Sequence, residues 1–214
     1  MINNKNNWWK KAVGYQIYPI SFFDSNGDGI GDIRGIIQKI EYIKNLGVDL
    51  IWLNPVYKSP KVDNGYDIAD FQDVDPTFGT LDDLRELIDL FHENGIHLIM
   101  DLVVNHTSDQ HQWFVEALKS KDNPYHDYYH WVDGTADSVP NDWKNWNGQS
   151  EWTFVPELGQ WYFHIFNKKM PDLNWENPKL REEILAMIKW WLDFGIDGFR
   201  LDAISHIKKM PFDV

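Results

Sequence analysis

The chain of 214 residues contains no cysteine. Disulfides, thiolate metal ligands and a cysteine nucleophile are therefore excluded. Basic residues are few, 20 against 33 acidic ones, for a formal net charge of −13, and Lys and Arg form no long run. A nucleic-acid binder needs a basic stripe to neutralise phosphates, so that class is set aside. No apolar stretch approaches the roughly 20 residues that cross a bilayer, and no membrane partner is expected. The start of the chain, up to Lys11, mixes lysine and tryptophan without the continuous apolar core of a secretory signal. A cytoplasmic location is the resulting expectation.

Hydrophobic residues make up 43% and charged ones 25%, ordinary for a globular protein. The aromatic content is not ordinary: 12 Trp, 9 Tyr and 12 Phe, many in polar, loop-like stretches. Such rings either stack on flat apolar surfaces, the CH faces of sugars among them, or pack beneath long loops. Composition leaves both readings open.

One module recurs. Asn45-Leu46-Gly47-Val48-Asp49-Leu50-Ile51, Glu93-Asn94-Gly95-Ile96-His97-Leu98-Ile99 and Asp193-Phe194-Gly195-Ile196-Asp197-Gly198-Phe199 each place a glycine after a helical pattern and before a short apolar strand. Glycine in that position takes the left-handed conformation that ends a helix. The preceding helices follow apolar stripes: Ile33 to Leu46; Leu84 to Phe91 behind the cap Thr80 and its N3 partner Asp83; and Leu180 to Trp191 behind Asn177-Pro178. With a first strand near Val13–Pro19, helices alternate with strands, the signature of a parallel sheet covered by helices. The interval from Gly95 to Gly195 is about twice that from Gly47 to Gly95. A structureless loop of that excess is improbable in a compact domain. The expected fold class is therefore α/β, a partial (β/α)₈ TIM barrel of strands 1–4 with a subdomain inserted after strand 3. Its expected segments are 1–104, the inserted lobe 105–172, and 173–214 with helix 3 and strand 4.

Polar groups gather where the strands end. Strand two runs into Asn54-Pro55 and then Asp63-Asn64-Gly65-Tyr66-Asp67; strand three contains Asp101 and ends in Asn105-His106; strand four carries Arg200 and Asp202, with His206 beyond. Acidic residues at strand ends often only cap loops, but three such ends share one rim of a barrel, where active sites lie. Arg200 and Asp202 are two apart on a strand and so share a face. A carboxylate within about 4–6 Å of a guanidinium stays ionised, as a carboxylate nucleophile must.

A separate loop, Asp24-Ser25-Asn26-Gly27-Asp28-Gly29-Ile30-Gly31-Asp32, matches the first nine positions of an EF-hand calcium loop. The twelfth position, where a bidentate glutamate belongs, is Gly35, and the next helix begins near Ile33. An EF-hand is unlike this. A structural Ca²⁺ site of another kind, using Asp24, Asn26, Asp28, Ile30 and Asp32, remains, as does an acidic turn that only caps the helix.

Several segments in order then carry a resemblance. Asp101-Leu102-Val103-Val104-Asn105-His106 and Gly198-Phe199-Arg200-Leu201-Asp202 resemble the first and second conserved segments of the α-amylase family of glycoside hydrolases. Met170-Pro171-Asp172-Leu173-Asn174-Trp175 resembles the segment that closes that family's inserted lobe. Asp63 to Asp67 resembles its exo-acting branch, which includes oligo-1,6-glucosidases, α-glucosidases, trehalose-6-phosphate hydrolases and sucrose isomerases. The resemblance runs from about Trp8 to Lys209. It implies Asp202 as nucleophile, Arg200 holding it ionised, Asp101 bracing Arg200, and His106 and Tyr66 lining the terminal glucose subsite. Asp63 would bind hydroxyls at the non-reducing end, and Phe166 is counted with the substrate-binding residues. Exo-acting relatives also carry a loop like Asp24–Asp32.

A retaining glycosidase needs a second carboxyl roughly 5–5.5 Å from the nucleophile to protonate the leaving oxygen. In the family this is a glutamate on the fifth strand, in the half of the barrel that does not occur before Val214. The expectation is a portion of a retaining α-glucosidase, acting on short oligosaccharides and inactive by itself, whose partner is the rest of the barrel. Ala203 stands where isomaltose-preferring relatives usually have valine, which implies α-1,4 over α-1,6 linkages. Met170 replaces a common glutamine and removes one polar contact to sugar. A trehalose-6-phosphate hydrolase would need a cationic pocket, for which Lys168, Lys169, Lys208 and Lys209 are available unless they are solvated surface. A non-catalytic carbohydrate- or calcium-binding remnant is the alternative from another class. Four barrel strands also leave two unpaired edges, so self-association of the isolated chain is expected.

Overall fold

The computed structural model describes residues 7–212. The outer ends of the expected first and last segments, 1–6 and 213–214, lie outside the described residues. In chain order the strands are β1 (Gly14–Ile17), β2 (Leu50–Leu53), β3 (Tyr57–Lys58), β4 (Asp70–Val74), β5 (His97–Val103), β6 (Trp131–Asp133), β7 (Trp152–Val155), β8 (Gln160–Phe163) and β9 (Gly198–Asp202). The helices are α1 (Pro19–Phe22), α2 (Ile33–Gln38), α3 (Ile40–Asn45), α4 (Leu81–Glu93), α5 (Gln112–Ala117) and α6 (Pro178–Phe194). They fall into two compact units. One holds the residues up to Val56, Asp73–Asp101 and Trp190–Arg200; the other holds Tyr57–Gln72, Leu102–Lys189 and the chain from Leu201.

The first unit is built on a sheet of order β1-β2-β5-β9, with β1–β2 and β2–β5 parallel. Sequence explains the ends of its elements. Thr80 accepts a hydrogen bond from the Asp83 N–H while the Asp83 side chain accepts from the Thr80 N–H, the expected capping box. Leu84, Leu87, Ile88 and Phe91 of α4 are buried, each worth about 1.5–3 kcal/mol relative to exposure. Gly47, Gly95 and Gly195 all have positive φ (69°, 72° and 116°), as the module requires. The expected single helix Ile33–Leu46 is instead two, α2 and α3, broken at Lys39, whose φ and ψ (−102°, 14°) leave the helical region. Its ammonium sits 3.9 Å from the Phe23 ring centroid.

The second unit contains residues 105–172 within its longer stretch Leu102–Lys189. Its sheet is antiparallel with order β6-β8-β7, pairing Trp131 with Tyr162, Trp152 with Phe163 and Phe154 with Trp161. Trp152, Trp161 and Phe163 form its core, with Val132, Trp143, Phe154, Ile165 and Phe212 packed against them. For these rings the packing reading of the aromatics holds. Trp146, by contrast, is 84% exposed. The lobe closes where the Leu173 N–H donates to the Asn105 carbonyl (2.8 Å) and the Thr107 N–H to the Pro171 carbonyl (3.2 Å). The sequence reading missed the hairpin of β3 and β4, because a two-residue strand carries no periodicity. Among the described residues no helix is long and apolar enough to cross a membrane.

Candidate active site

The structure gathers the expected residues into two groups. In the first unit, Asp101 on β5 is fully buried and accepts hydrogen bonds from Arg200 Nη1 on β9 (2.8 Å) and from Trp52 Nε1 on β2 (2.9 Å), among its partners. The guanidinium of Arg200 also lies 4.7 Å from the Trp52 ring centroid. Two donors satisfy the carboxylate that burial would otherwise penalise, and a cation–π contact fixes the plane of the guanidinium. Arg200 keeps 36% of its side chain exposed. Asp101 thus holds Arg200 as expected; Trp52 was not anticipated, though a lone tryptophan in an otherwise aliphatic strand was the available signal. On β1, Gln16 Nε2 donates to Asn54 Oδ1 (2.7 Å), tying that strand to the end of β2.

In the second unit, Asp63, Tyr66, His106, Phe166 and Asp202 come together. The loop between β3 and β4 is organised by buried Asp67, which accepts from Ser59 Oγ (3.0 Å) and from the N–H groups of Val62 and Asp63 (2.9 Å each). His106 Nε2 lies 3.2 Å from the Tyr66 carbonyl, and its ring meets the Phe166 ring edge-on at 5.4 Å. Phe166 in turn meets His206 at 5.8 Å. Burial lowers the His106 pKa, with Asp172, the Tyr66 carbonyl, Asp202 and Asp63 opposing, so the imidazole is held towards neutrality. Partial desolvation raises the Asp63 carboxyl; His106 opposes this, and the charges of Asp67 and Asp202 add to it. Asp202 is therefore near enough for its charge to act on both Asp63 and His106. A raised Asp63 is a departure from the simple ionised acceptor of sugar hydroxyls that the sequence implied.

A third feature was missed. Lys209 is only 7% exposed and its ammonium reaches Asp172 Oδ2 and Asn105 Oδ1, each at 2.6 Å, as well as the His206 carbonyl. Asn105 Nδ2 donates to Asp172 Oδ2 (3.2 Å) beside His106 Nδ1 (3.2 Å), and Asp172 Oδ1 accepts from the Ile165 N–H (3.1 Å). Lys209 therefore ties the segment after β9 to the end of β5. This corrects two expectations: Lys209 is neither solvated surface nor free for a phosphate. Lys169 is likewise paired, with Asp109 at 2.6 Å.

The acidic loop lies in the first unit. Asp24 accepts from the N–H groups of Asn26, Gly27 and Gly29, Asn26 Oδ1 from that of Asp28, and Asp28 Oδ1 from that of Ile30. Asp32 caps α2 through the Gly35 N–H (2.6 Å) and accepts from Ser25 through its other oxygen. Gly35 is required here, since a Cβ would stand 1.9 Å from the Phe23 carbonyl oxygen. The EF-hand's twelfth position is thus closed to any side chain. Backbone hydrogen bonds, chiefly from Gly29 and Gly27, lower the Asp24 pKa and keep it ionised. Among the described residues no group of three or more His, Cys, Asp or Glu is placed to hold a metal. Two carboxylates, one amide oxygen and the Ile30 carbonyl still suit a hard cation, which takes oxygen ligands.

Comparison with known proteins fits this geometry. The family described as "Alpha amylase, catalytic domain" matches residues 16–213. An oligo-1,6-glucosidase of Parageobacillus thermoglucosidasius is 59% identical over 204 residues, covering 95% of this chain and 36% of the relative. The crystal structure of an isomaltulose synthase from Protaminobacter rubrum superposes with a TM-score of 0.94 at 48% identity, covering 97% of this chain and 37% of that one. A trehalose-6-phosphate hydrolase of Bacillus licheniformis gives 0.92 at 51% identity, covering 94% and 37%. The chain thus spans little more than a third of the length of the relatives it matches. It belongs to the α-amylase family, and its four-stranded sheet is part of a TIM barrel.

Proposed function

We propose that this chain supplies the nucleophile-bearing portion of a retaining α-glucosidase, with 105–172 as its inserted lobe, and that the whole enzyme cleaves terminal α-glucosidic bonds of short oligosaccharides. The observation that supports this most is the grouping of Asp202 with Asp63 and neutral-leaning His106 in the second unit. In this reading Asp202 attacks the anomeric carbon, the glycosidic bond breaks, and a glycosyl ester forms on its carboxylate. Asp63 and His106 hold the hydroxyls of the glucose, and Tyr66 and Phe166 wall it in. The proton for the leaving oxygen comes from a residue outside the 214, so the chain alone does not turn over an ordinary glucoside.

A substrate with a fluoride leaving group needs little help from an acid, which separates the nucleophile from the missing donor. Incubation with 5-fluoro-α-glucosyl fluoride should add one glycosyl group, mapped to Asp202 by peptide mass spectrometry and absent in Asp202→Asn. Labelling elsewhere, or labelling that survives the substitution, sinks the assignment. The α-1,4 preference rests on Ala203, which follows the nucleophile in a left-handed conformation (φ 45°, ψ 28°) that β-branched residues resist. Maltose should therefore protect Asp202 from the label at lower concentration than isomaltose. The paired states of Lys169 and Lys209 weigh against a phosphate-binding pocket.

A structural Ca²⁺ held by Asp24, Asn26, Asp28 and the Ile30 carbonyl is part of the same proposal, with Asp32 left as the helix cap. Calorimetric titration with CaCl₂ should show one site that Asp28→Ala removes, and a rise in melting temperature that the variant lacks. Equal heats for both proteins would leave the loop as an acidic turn.

A further inference from the structure

The second unit contains a cavity of about 240 Å³, lined among others by Asp70, Phe71, His111, Trp113, Glu183 and Met187. It is smaller than the roughly 300–1,000 Å³ of drug-sized sites and has room for about eight water-sized groups at about 30 Å³ each. Three of its walls are rings tilted against one another. The centroids of His111 and Trp113 lie 4.5 Å apart at 58°, those of Phe71 and His111 5.3 Å at 54°, and those of Phe71 and Trp113 6.0 Å at 44°. Rings inclined in this way make a corner rather than a stack, and aromatic faces attract a cation within about 6 Å. No lysine or arginine lines the space, whereas two carboxylates do. Glu183 makes no hydrogen bond or ion pair with any described residue, and the Asp70 side chain accepts only from the Gln72 N–H (2.9 Å) among them. His111 supplies the polar end. It is only 6% exposed, and its Nδ1 accepts from the Trp113 N–H (3.1 Å). In the neutral ring the proton therefore sits on Nε2, for which no described residue offers an acceptor. Burial lowers the His111 pKa to about 4, which keeps the ring neutral and adds no positive charge to the cavity. A nearly buried N–H left without an acceptor is costly, and a ligand oxygen would relieve that cost.

We propose that this cavity binds a small amino alcohol cation, its ammonium group held by Asp70, Glu183 and the rings of Phe71 and Trp113, and its hydroxyl oxygen accepting from His111 Nε2. Other ligand classes fit the walls less well. An anion would meet two carboxylates and no cationic side chain. A bare metal ion needs the imidazole lone pair that this tautomer covers with a proton. A neutral polyol could satisfy His111 but gains nothing from the charges or the ring faces. Asp70 and Glu183 are both exposed, so their pull on a cation is screened by salt. The inference goes beyond the glucosidase reading and does not depend on it, since none of these residues has a part in that reading.

The test titrates the 214-residue chain at low salt with choline, tetramethylammonium and glycerol, by calorimetry and by tryptophan emission. Choline should bind best. Tetramethylammonium lacks the hydroxyl and should bind about 5-fold more weakly, the scale of one neutral hydrogen bond. Glycerol lacks the charge and should bind about 10-fold more weakly than choline. Glu183→Gln removes one charge at an exposed position and should weaken choline about 3-fold. Trp113→Leu keeps both carboxylates and should weaken it about 5-fold through the lost ring face. Each variant stands in for the other should one fail to fold. The expected order of ligands, with losses in the folded variants, supports the site. No binding of choline, choline affinity unchanged in every folded variant, or glycerol binding as tightly as choline overturns it. Equal affinities for choline and tetramethylammonium overturn the hydroxyl contact with His111, and with it the amino alcohol class.

Discussion

Two buried aspartates each hold a cation, and they differ in what the cation is free to do. In the first unit, Asp101 is fully buried and grips Arg200, whose side chain stays 36% exposed. In the second, Asp172 is equally buried but its Lys209 is 7% exposed and surrounded by acceptors. Arg200 is planar, lies against Trp52 and keeps part of its side chain exposed. Lys209 is a point charge with its donors used up. The same pairing of charges therefore gives a partly exposed guanidinium in one place and an internal strut in the other.

Acid should separate the two units most strongly. Burial lowers His111, His130 and His164 of the second unit to about 4. An unfolded imidazole titrates near 6.5, so between about 6.5 and 4 the unfolded state binds more protons and stability falls as the pH falls. The loss is on the order of 2–3 kcal/mol per fully buried histidine. In the first unit, burial pushes the Asp197 carboxyl up, but His97, the Leu98 N–H and His92 outweigh it and hold the pKa below its ordinary value. That contribution persists until the pH drops below the unfolded value near 4. Hydrogen exchange at pH 5 should show the second unit opening before the first; the reverse order breaks the comparison.

Removing the strut comes next. Lys209→Met leaves Asp172 charged and buried, and should cost roughly 3–5 kcal/mol in urea unfolding. Adding Asp172→Asn should recover part of it, because the uncompensated charge is then gone. A cost below about 1 kcal/mol, typical of a surface pair, would mean that Lys209 is solvated after all.

The smallest effect is expected at Arg200. Arg200→Lys keeps the charge but loses the planar fork and part of the contact with Trp52, for about 1–2 kcal/mol of stability. It should slow labelling of Asp202 by far more than so small a loss of stability would suggest. Unchanged labelling would place Arg200 among purely structural groups.

Much of the fold was legible because its signals are local. The stripes of α4 and α6, the Thr80 capping box, the Asn177 cap and the three glycines are each decided within a few residues, and all are present. The break at Lys39 was not legible, since no proline or glycine marks it, and the β3–β4 hairpin was not because β3 is only two residues long, despite Pro60 and Gly65 between the strands. Of the site, Asp101, His106, Arg200 and Asp202 stood out as charges in apolar strands or at their ends. Lys209 did not, nor did His111 beside the cavity. In sequence they look like any polar residue of a loop.

The sequence by itself determined the order of helices and strands and the placing of charged groups at the strand ends. Only the tertiary structure decided which charges lose their water. Whether a lysine is a strut or surface, and whether a histidine is solvated or buried against a cavity, depends on desolvation by residues far away along the chain. Asn105 and Asp172 seal Lys209 from positions that no local pattern links to it.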